Sequence, residues 1–189
     1  MKHPSYPTQP LPAGQRGFTI LELVITLTLV GILTAVMAPT FGETLRNWRR
    51  DSATRALNTT LLQGRAEAIK STRKVMVCPT TTGTSCANST EWKTGWMMFV
   101  DDGATDQAYD AGERILQVTT AQGGIASLAS SSGVRFLQFW PNGLMFSTAA
   151  AGTAHTTFTV TPSGLTSSTK VDKIAVSRVG RATVTTDYP

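Results

Sequence analysis

The chain has 189 residues, about the length of one domain, of which 41% are apolar and 15% charged. So low a charged fraction excludes a disordered polyelectrolyte, a coiled coil rich in Glu and Lys, and a histone-like basic tail. The net charge of +5 is mild but unevenly placed, because eight basic residues oppose three acidic ones over 43–74, and six acidic residues oppose one basic residue over 91–113. A basic segment therefore precedes an acidic one.

The N-terminal part combines a polar segment with a long apolar run. Residues 1–17 contain four prolines and no acidic residue, which argues against a helix there. Residues 18–41 carry Glu22 as their only formal charge. As a helix this run is about 36 Å long at ~1.5 Å per residue, enough to cross a hydrocarbon core of ~30 Å. It predicts a membrane-spanning helix rather than a cleavable signal peptide, whose apolar region is usually ~7–15 residues.

Glu22 is the unusual residue of this apolar run. A carboxylate near the bilayer core costs a few kcal/mol and usually has a charged or polar partner. Cleavage between Gly17 and Phe18 would place a new α-amino group about one helical turn before Glu22. These opposite charges are spaced to pair, either within one subunit or between packed helices.

The rest of the chain changes from helical to strand periodicity. Apolar residues recur at helical spacing from Leu45 to about Arg73, which predicts a helix continuous with the span, packed on a globular head, with a solvated basic face. From Val75 onward the period is two, with Gly, Thr and Ser at the breaks. The predicted strands are 74–78, 95–101, 114–118, 134–140, 144–147, 156–161 and 173–184. Residues 119–133 and 147–157 are predicted loops, and 140–144 a hairpin turn.

Cys78 and Cys86 enclose a short, polar, turn-rich segment. In an oxidising compartment the pair predicts a structural disulfide, and two free thiols in a cytosolic protein are the alternative. Closing so short a loop contributes only about 2–3 kcal/mol.

Catalytic and metal-binding patterns are weak. Five acidic side chains between residues 101 and 113 offer oxygen ligands for calcium, but the EF-hand order is absent, and a solvated acidic loop is the alternative. The sequence lacks Gly-x-Ser-x-Gly, P-loop and His-Glu-x-x-His motifs. We therefore predict no enzyme activity, no catalytic residue, no cofactor and no metal site.

The segment from Gly17 to Glu22, Gly-Phe-Thr-Ile-Leu-Glu, resembles the processing motif of type IV prepilins and type II secretion pseudopilins. The resemblance implies that a prepilin peptidase cuts between Gly17 and Phe18 and methylates the new N-terminal Phe18. It also implies that the Glu22 carboxylate pairs with the N-terminal charge of a neighbouring subunit during assembly. Gly31 and Pro39 fall where related pilins have a glycine and a proline.

The head resembles the FimT/GspH group of minor pilins. The resemblance is carried by Cys78-Pro79 with Cys86, by Gly95-Trp96, by Phe139-x-Pro-x-Gly143 and by Val176-Ser177-x-x-Gly180-Arg181. It implies an α+β, type IV pilin-like fold, with a leader (1–17), an assembly helix (18–41), its continuation (42–74) and a β-rich periplasmic head (75–189). Trp92 and Trp96 are predicted to pack in the core.

That resemblance also implies a function and a location. The expected protein is a minor pilin that primes type IV pilus assembly, with a GspH-like pseudopilin of type II secretion as the alternative. Expected partners are other major and minor pilins, the prepilin peptidase and the inner-membrane assembly platform. The subunit is expected in the bacterial inner membrane as a single-pass protein with a periplasmic head, and then outside the cell in the filament.

The C-terminal segment carries four basic side chains within twelve residues: Lys170, Lys173, Arg178 and Arg181. Some FimT-type pilins bind DNA during natural transformation, and a Gly-Arg-x-Arg motif near the end contributes. The resemblance implies a tip subunit that binds double-stranded DNA for uptake through Arg181, Arg178, Lys173 and Lys170. Gly180-Arg181 matches that motif, but Thr183 replaces its second arginine. Arg178 is the substitute considered, although three residues along one strand would put it on the opposite face. The competing interpretation is an edge strand protected by charges against aggregation.

Overall fold

The computed structural model describes residues 17–105, 107–147, 155–164, 166 and 169–188, with only the backbone of residues 36–40. The chain divides into two compact units, one ending at Thr40 and the other beginning at Phe41. Residues 1–16 of the predicted leader, Asp106 of the acidic segment and residues 148–154 of a predicted loop lie outside the described residues. The bounds of the four predicted segments stay predictions.

A long helix, α1, spans Ile20–Ser71. Ala53, Leu57, Leu61 and Ala68 are buried, and their spacing places them along one face of the helix. This face packs into the main core of the head. The helix ends where Thr72 takes a left-handed conformation, with φ of 55°.

Within the described residues, nine strands form two antiparallel sheets. The first sheet has the order β3-β2-β1-β5-β6 and the second the order β4-β7-β8-β9. In chain order the strands are β1 Val75–Pro79, β2 Trp96–Val100, β3 Ile115–Thr119, β4 Ile125–Ser130, β5 Leu137–Phe139, β6 Met145–Ser147, β7 His155–Pro162, β8 Val171–Ser177 and β9 Ala182–Asp187. The predicted α+β fold, a helix packed on an antiparallel β-rich head, is confirmed.

Both faces of the first sheet are buried in its centre. On one face, Val75, Val77, Trp96 and Met98 join the core under α1. On the other face, Met76, Cys78, Met97 and Phe99 form a second apolar cluster. The predicted alternation is therefore present, but successive side chains of these strands are buried in two different apolar clusters, one on each face of the sheet.

The two tryptophans predicted to pack are confirmed as core residues. Both are 0% exposed, and each indole N–H has a partner. Trp92 Nε1 donates to the Val134 carbonyl at 3.0 Å, and Trp96 Nε1 donates to Thr60 Oγ1 of α1 at 3.0 Å. The Trp96 bond therefore fixes the helix to the first sheet as well as filling the core.

Two strand predictions are wrong. Strand β4 lies inside the predicted loop 119–133, and the predicted strand 173–184 is a hairpin of β8 and β9. Gly180, with φ of 69°, ends the turn between them, and the Ser177 N–H donates to the Arg181 carbonyl at 2.9 Å. A glycine in the left-handed region after a short turn is a regular feature of three-residue hairpin loops.

Candidate functional site

The N-terminal end of α1 is capped by Thr19. The Glu22 N–H donates to Thr19 Oγ1 at 3.2 Å, which satisfies one of the free N–H groups of the first turn. Glu22 itself lies in that first turn and is exposed. A carboxylate there interacts favourably with the helix dipole, so Glu22 has a local stabilising role besides its predicted role in assembly.

The N-terminal half of α1 exposes its apolar side chains. Phe18 is 82% and Ile20 84% exposed, and large apolar residues stay exposed through Leu33. The hydroxyls of Thr26, Thr28 and Thr34 donate back to helix carbonyls three or four residues earlier, at 2.8–3.0 Å. This segment therefore offers an apolar surface whose threonine hydroxyls are satisfied within the helix.

In the part of the chain described by the structure, no helix meets the length and apolarity needed to cross a membrane. The span predicted over residues 18–41 stays a prediction.

The structure joins Cys78 to Cys86 by a disulfide, with the two Cα atoms 5.6 Å apart. The bridge joins the end of β1 to the connection between β1 and β2. Within the closed loop, Thr80 Oγ1 donates to the Ser85 carbonyl at 2.7 Å and accepts the Gly83 N–H at 2.9 Å. The loop is thus ordered by its own hydrogen bonds as well as by the bridge.

Carboxylates of the acidic segment accept hydrogen bonds from backbone N–H groups of the same segment. The Glu113 carboxylate accepts the N–H groups of Asp102, Gly103 and Asp110 at 2.8–3.0 Å. Asp110 accepts the Thr105 N–H at 2.7 Å. Among the described residues no group of three or more His, Cys, Asp or Glu is placed to hold a metal ion. These carboxylates therefore fold the β2–β3 connection.

The basic face of α1 is only partly solvated. Arg50 is 6% exposed, and its Nε lies 3.2 Å from Asp172 Oδ1 on β8. Asp172 also accepts the hydroxyls of Thr54 and Thr186, both at 2.8 Å. The prediction of a solvated basic face is wrong for Arg50, which joins the helix to the second sheet.

The four C-terminal cations fall into two pairs at opposite ends of β8. Lys173 Nζ lies 2.9 Å from Asp187 Oδ2, and Lys170 Nζ lies 5.6 Å from the centre of the Tyr188 ring. Arg178 and Arg181 instead lie at the turn between β8 and β9, and both are exposed. The prediction that Arg178 and Arg181 lie on one strand is therefore wrong, because Arg178 lies in the turn between β8 and β9.

The β8–β9 turn meets residues that the sequence does not group with it. The Met145 N–H donates to the Arg178 carbonyl at 2.7 Å, which joins the turn to the edge of the first sheet. Arg65 of α1 donates from Nε to the Gly143 carbonyl at 3.2 Å. A Cβ added at Gly180 would lie 2.7 Å from Arg65 Cδ and 2.7 Å from that same carbonyl oxygen. The turns that contain Gly143 and Gly180 therefore both contact the Arg65 side chain.

Lys74, Arg178 and Arg181, together with the rings of Trp140 and Phe146, form what we name the basic corner. Lys74 Nζ lies 5.1 Å from the centre of the Trp140 ring. The Trp140 and Phe146 rings are 4.8 Å apart, and Arg178 Cζ lies 6.0 Å from the centre of Phe146. The sequence indicated Arg178 and Arg181, but not Lys74 or the two rings.

A helix with an exposed apolar N-terminal half and a β-rich head on its C-terminal half defines a pilin-like subunit. Residues 53–180 match the family described as Type II transport protein GspH, and residues 12–38 match the prokaryotic N-terminal methylation motif. The chain therefore belongs to the GspH family, as its resemblance to the FimT/GspH group predicted.

Two proteins illustrate the similarity. The chain is 29% identical over 173 residues to the pilin-like protein PilA1 of Thermus thermophilus, covering 89% of this chain and 97% of that protein. Its fold is similar to the type IV minor pilin FimU of Pseudomonas aeruginosa, with a TM-score of 0.55 and 21% identity, covering 75% of this chain and 91% of FimU. A second crystal form of FimU gives a TM-score of 0.52.

Proposed function

We propose that this protein is a minor pilin that helps to prime a type IV pilus. The observation that carries the proposal is the N-terminal half of α1, where apolar side chains from Phe18 to Leu33 are exposed. Such a surface needs a bilayer or neighbouring helices to cover it. The methylation motif over residues 12–38 supports processing of the same segment.

Processing and assembly involve different residues in this proposal. The prepilin peptidase cleaves between Gly17 and Phe18, and the methylated Phe18 becomes the first residue. Glu22, in the first turn and exposed, is then placed to pair with the N-terminal charge of an adjacent subunit. The inner membrane holds residues 18–41 before assembly, the head lies in the periplasm, and the filament then carries the subunit outside the cell.

The test of this part compares two variants in cells that make the pilus. A bulky replacement such as Gly17→Leu should leave the leader attached, which an immunoblot detects as a larger band. Glu22→Ala should be cleaved normally but be lost from the sheared pilus fraction. Normal incorporation of Glu22→Ala would overturn the assembly role, and normal cleavage of Gly17→Leu would overturn the cleavage site.

We further propose that the basic corner captures DNA for uptake, from a position at the pilus tip. Arg178 and Arg181 are exposed there, whereas Lys170 and Lys173 contact Tyr188 and Asp187 at the other end of β8. Contacts of a few cations with phosphates give binding that is independent of sequence and weakens with salt. In a gel shift at about 50 and 200 mM salt, Arg181→Ala should weaken binding more than Lys173→Ala. Equal effects would refute the assignment to this end of the hairpin.

The second candidate is a GspH-like minor pseudopilin of type II secretion, which the description of the matching family favours. Deletion of the gene separates the two candidates. Loss of surface pili with normal exoprotein release supports the pilus role. Retention of pili with exoproteins trapped in the periplasm supports the secretion role.

A further inference from the structure

The basic corner contains a continuous row of two cations and two aromatic rings. Lys74, Trp140, Phe146 and Arg178 follow one another at separations of 5.1, 4.8 and 6.0 Å, measured to ring centres. Phe146 is 37% exposed, and Arg178 is exposed on its turn. The members of this row come from three separate places: the end of α1, the β5–β6 hairpin and the β8–β9 turn.

The last separation in the row is the informative one. Flat groups in direct stacking contact lie about 3.4 Å apart, the spacing of bases along a strand. Arg178 Cζ lies 6.0 Å from the centre of the Phe146 ring, so the guanidinium is near the ring but is not stacked directly on it. Movement of the exposed Arg178 side chain would let a base stack on the Phe146 ring beside the guanidinium.

The backbone that carries Arg178 is held in place on both sides. Its carbonyl accepts the N–H of Met145, the residue before Phe146, at 2.7 Å. Two residues later, Gly180 packs against the Arg65 side chain beneath the turn. The backbones bearing the ring and the guanidinium are therefore fixed relative to each other, and only side chains need to adjust, which keeps the entropic cost of binding low.

We propose that an unpaired base of single-stranded DNA stacks on the Phe146 ring and the Arg178 guanidinium, with Lys74 and Arg181 contacting the flanking phosphates. This inference rests on the DNA binding proposed above and specifies the form of DNA. A base within a duplex has both faces covered by its neighbours, so only an unpaired base can stack on this ring. Stacking on aromatic rings and guanidinium planes is how single strands are held without sequence preference.

The chain offers a matched control at the other end of the same hairpin. Tyr188 is 61% exposed and also carries a cation, with Lys170 Nζ 5.6 Å from its ring centre. Removing this ring removes comparable aromatic surface and disturbs a comparable cation, but leaves the basic corner intact. Tyr188→Ala therefore reports the nonspecific effect of losing one exposed ring.

The test measures fluorescence anisotropy of labelled oligonucleotides with the full chain purified in detergent. The probes are a single strand and a blunt duplex of equal length. We expect the wild-type chain to prefer the single strand, and Phe146→Ala to lose about 5- to 150-fold of its affinity for it, the range measured for removal of one stacking ring. Binding of the duplex should change less. Phe146→Tyr, which keeps a ring, and Tyr188→Ala should both bind the single strand like the wild type.

A second variant keeps the test decisive even if Phe146→Ala does not fold. Arg178→Lys keeps the charge on an exposed turn but removes the flat guanidinium. It should lose more affinity for the single strand than for the duplex, because a lysine still contacts phosphates but cannot stack on a base. An equal loss on both probes in either variant would overturn the proposal.

The outcomes for the wild type separate this inference from the function on which it rests. Equal affinity for the single strand and the duplex would overturn the stacking of a base at Phe146 and leave DNA capture standing. No binding of either probe at low salt would overturn both.

Discussion

Replacing Gly180 by alanine tests the close contact between the β8–β9 turn and the β5–β6 turn, which holds the basic corner together. Gly180 has φ of 69°, in the left-handed region. The new Cβ would lie 2.7 Å from the Gly143 carbonyl oxygen and 2.7 Å from Arg65 Cδ. The arginine side chain can move away, but the carbonyl belongs to the backbone of another turn. The β8–β9 turn must therefore lift away from the β5–β6 turn.

The loss of stability has two parts. The left-handed conformation costs alanine roughly 1–2 kcal/mol. Lifting the turn weakens two hydrogen bonds, from Arg65 to the Gly143 carbonyl and from the Met145 N–H to the Arg178 carbonyl. At roughly 0.5–1.5 kcal/mol for each bond, the free energy of unfolding should fall by about 2–5 kcal/mol in total.

The assay is urea unfolding of the head, residues 41–189, followed by circular dichroism. With a slope of roughly 2 kcal/mol per molar urea, the midpoint should fall by about 1–2.5 M. Gly133→Ala is the matched control, because Gly133 has φ of 63° but its added Cβ would meet only Thr90 Cγ2, at an ordinary 3.8 Å. If Gly180→Ala is no more destabilising than Gly133→Ala, the argument from close contact is refuted.

Two further changes probe the rest of the head. Cys78→Ser should lower the free energy of unfolding by about 2–3 kcal/mol, because the bridge closes a loop between residues only eight apart. Reductant should lower the stability of the wild type by the same amount and leave that of the variant unchanged. A decrease in the variant would contradict this cause. Asp172→Ala should lower the free energy of unfolding by about 2–4 kcal/mol, because the Thr54 and Thr186 hydroxyls lose their shared acceptor and the buried Arg50 guanidinium keeps only Asp51 as an ionic partner among the described residues. Lys173→Ala, which removes an exposed ion pair on the same strand, should change it by less than about 1 kcal/mol, and equal losses would show that burial is not the reason.

The N-terminal features were predictable because they are local. An apolar run with one carboxylate, preceded by a glycine, can be recognised from consecutive residues. The helix periodicity from Leu45 onward was also readable, because it reflects a single buried face. The role of Arg50 was not, because its partner Asp172 is distant in sequence.

Strand β4 shows why the second sheet was harder to predict. Its sequence, Ile-Ala-Ser-Leu-Ala-Ser, has few β-branched residues and follows two glycines. Its buried residues Ile125 and Leu128 are three apart, because the pairing with β7 shifts register between Ile125 and Ser127. That irregularity removes the period of two from the sequence, so pairing with β7, rather than local propensity, makes this segment a strand.

Neighbouring residues and short spacings are enough to identify the family, the helix, the disulfide pair and the strands of the first sheet. Which cations lie together depends instead on the fold, which separates Lys170 and Lys173 from Arg178 and Arg181 by the length of β8 and brings Lys74, Trp140 and Phe146 to the turn. A surface site forms where distant segments meet, and the packing of the two sheets, which leaves no pattern in consecutive residues, sets that meeting point.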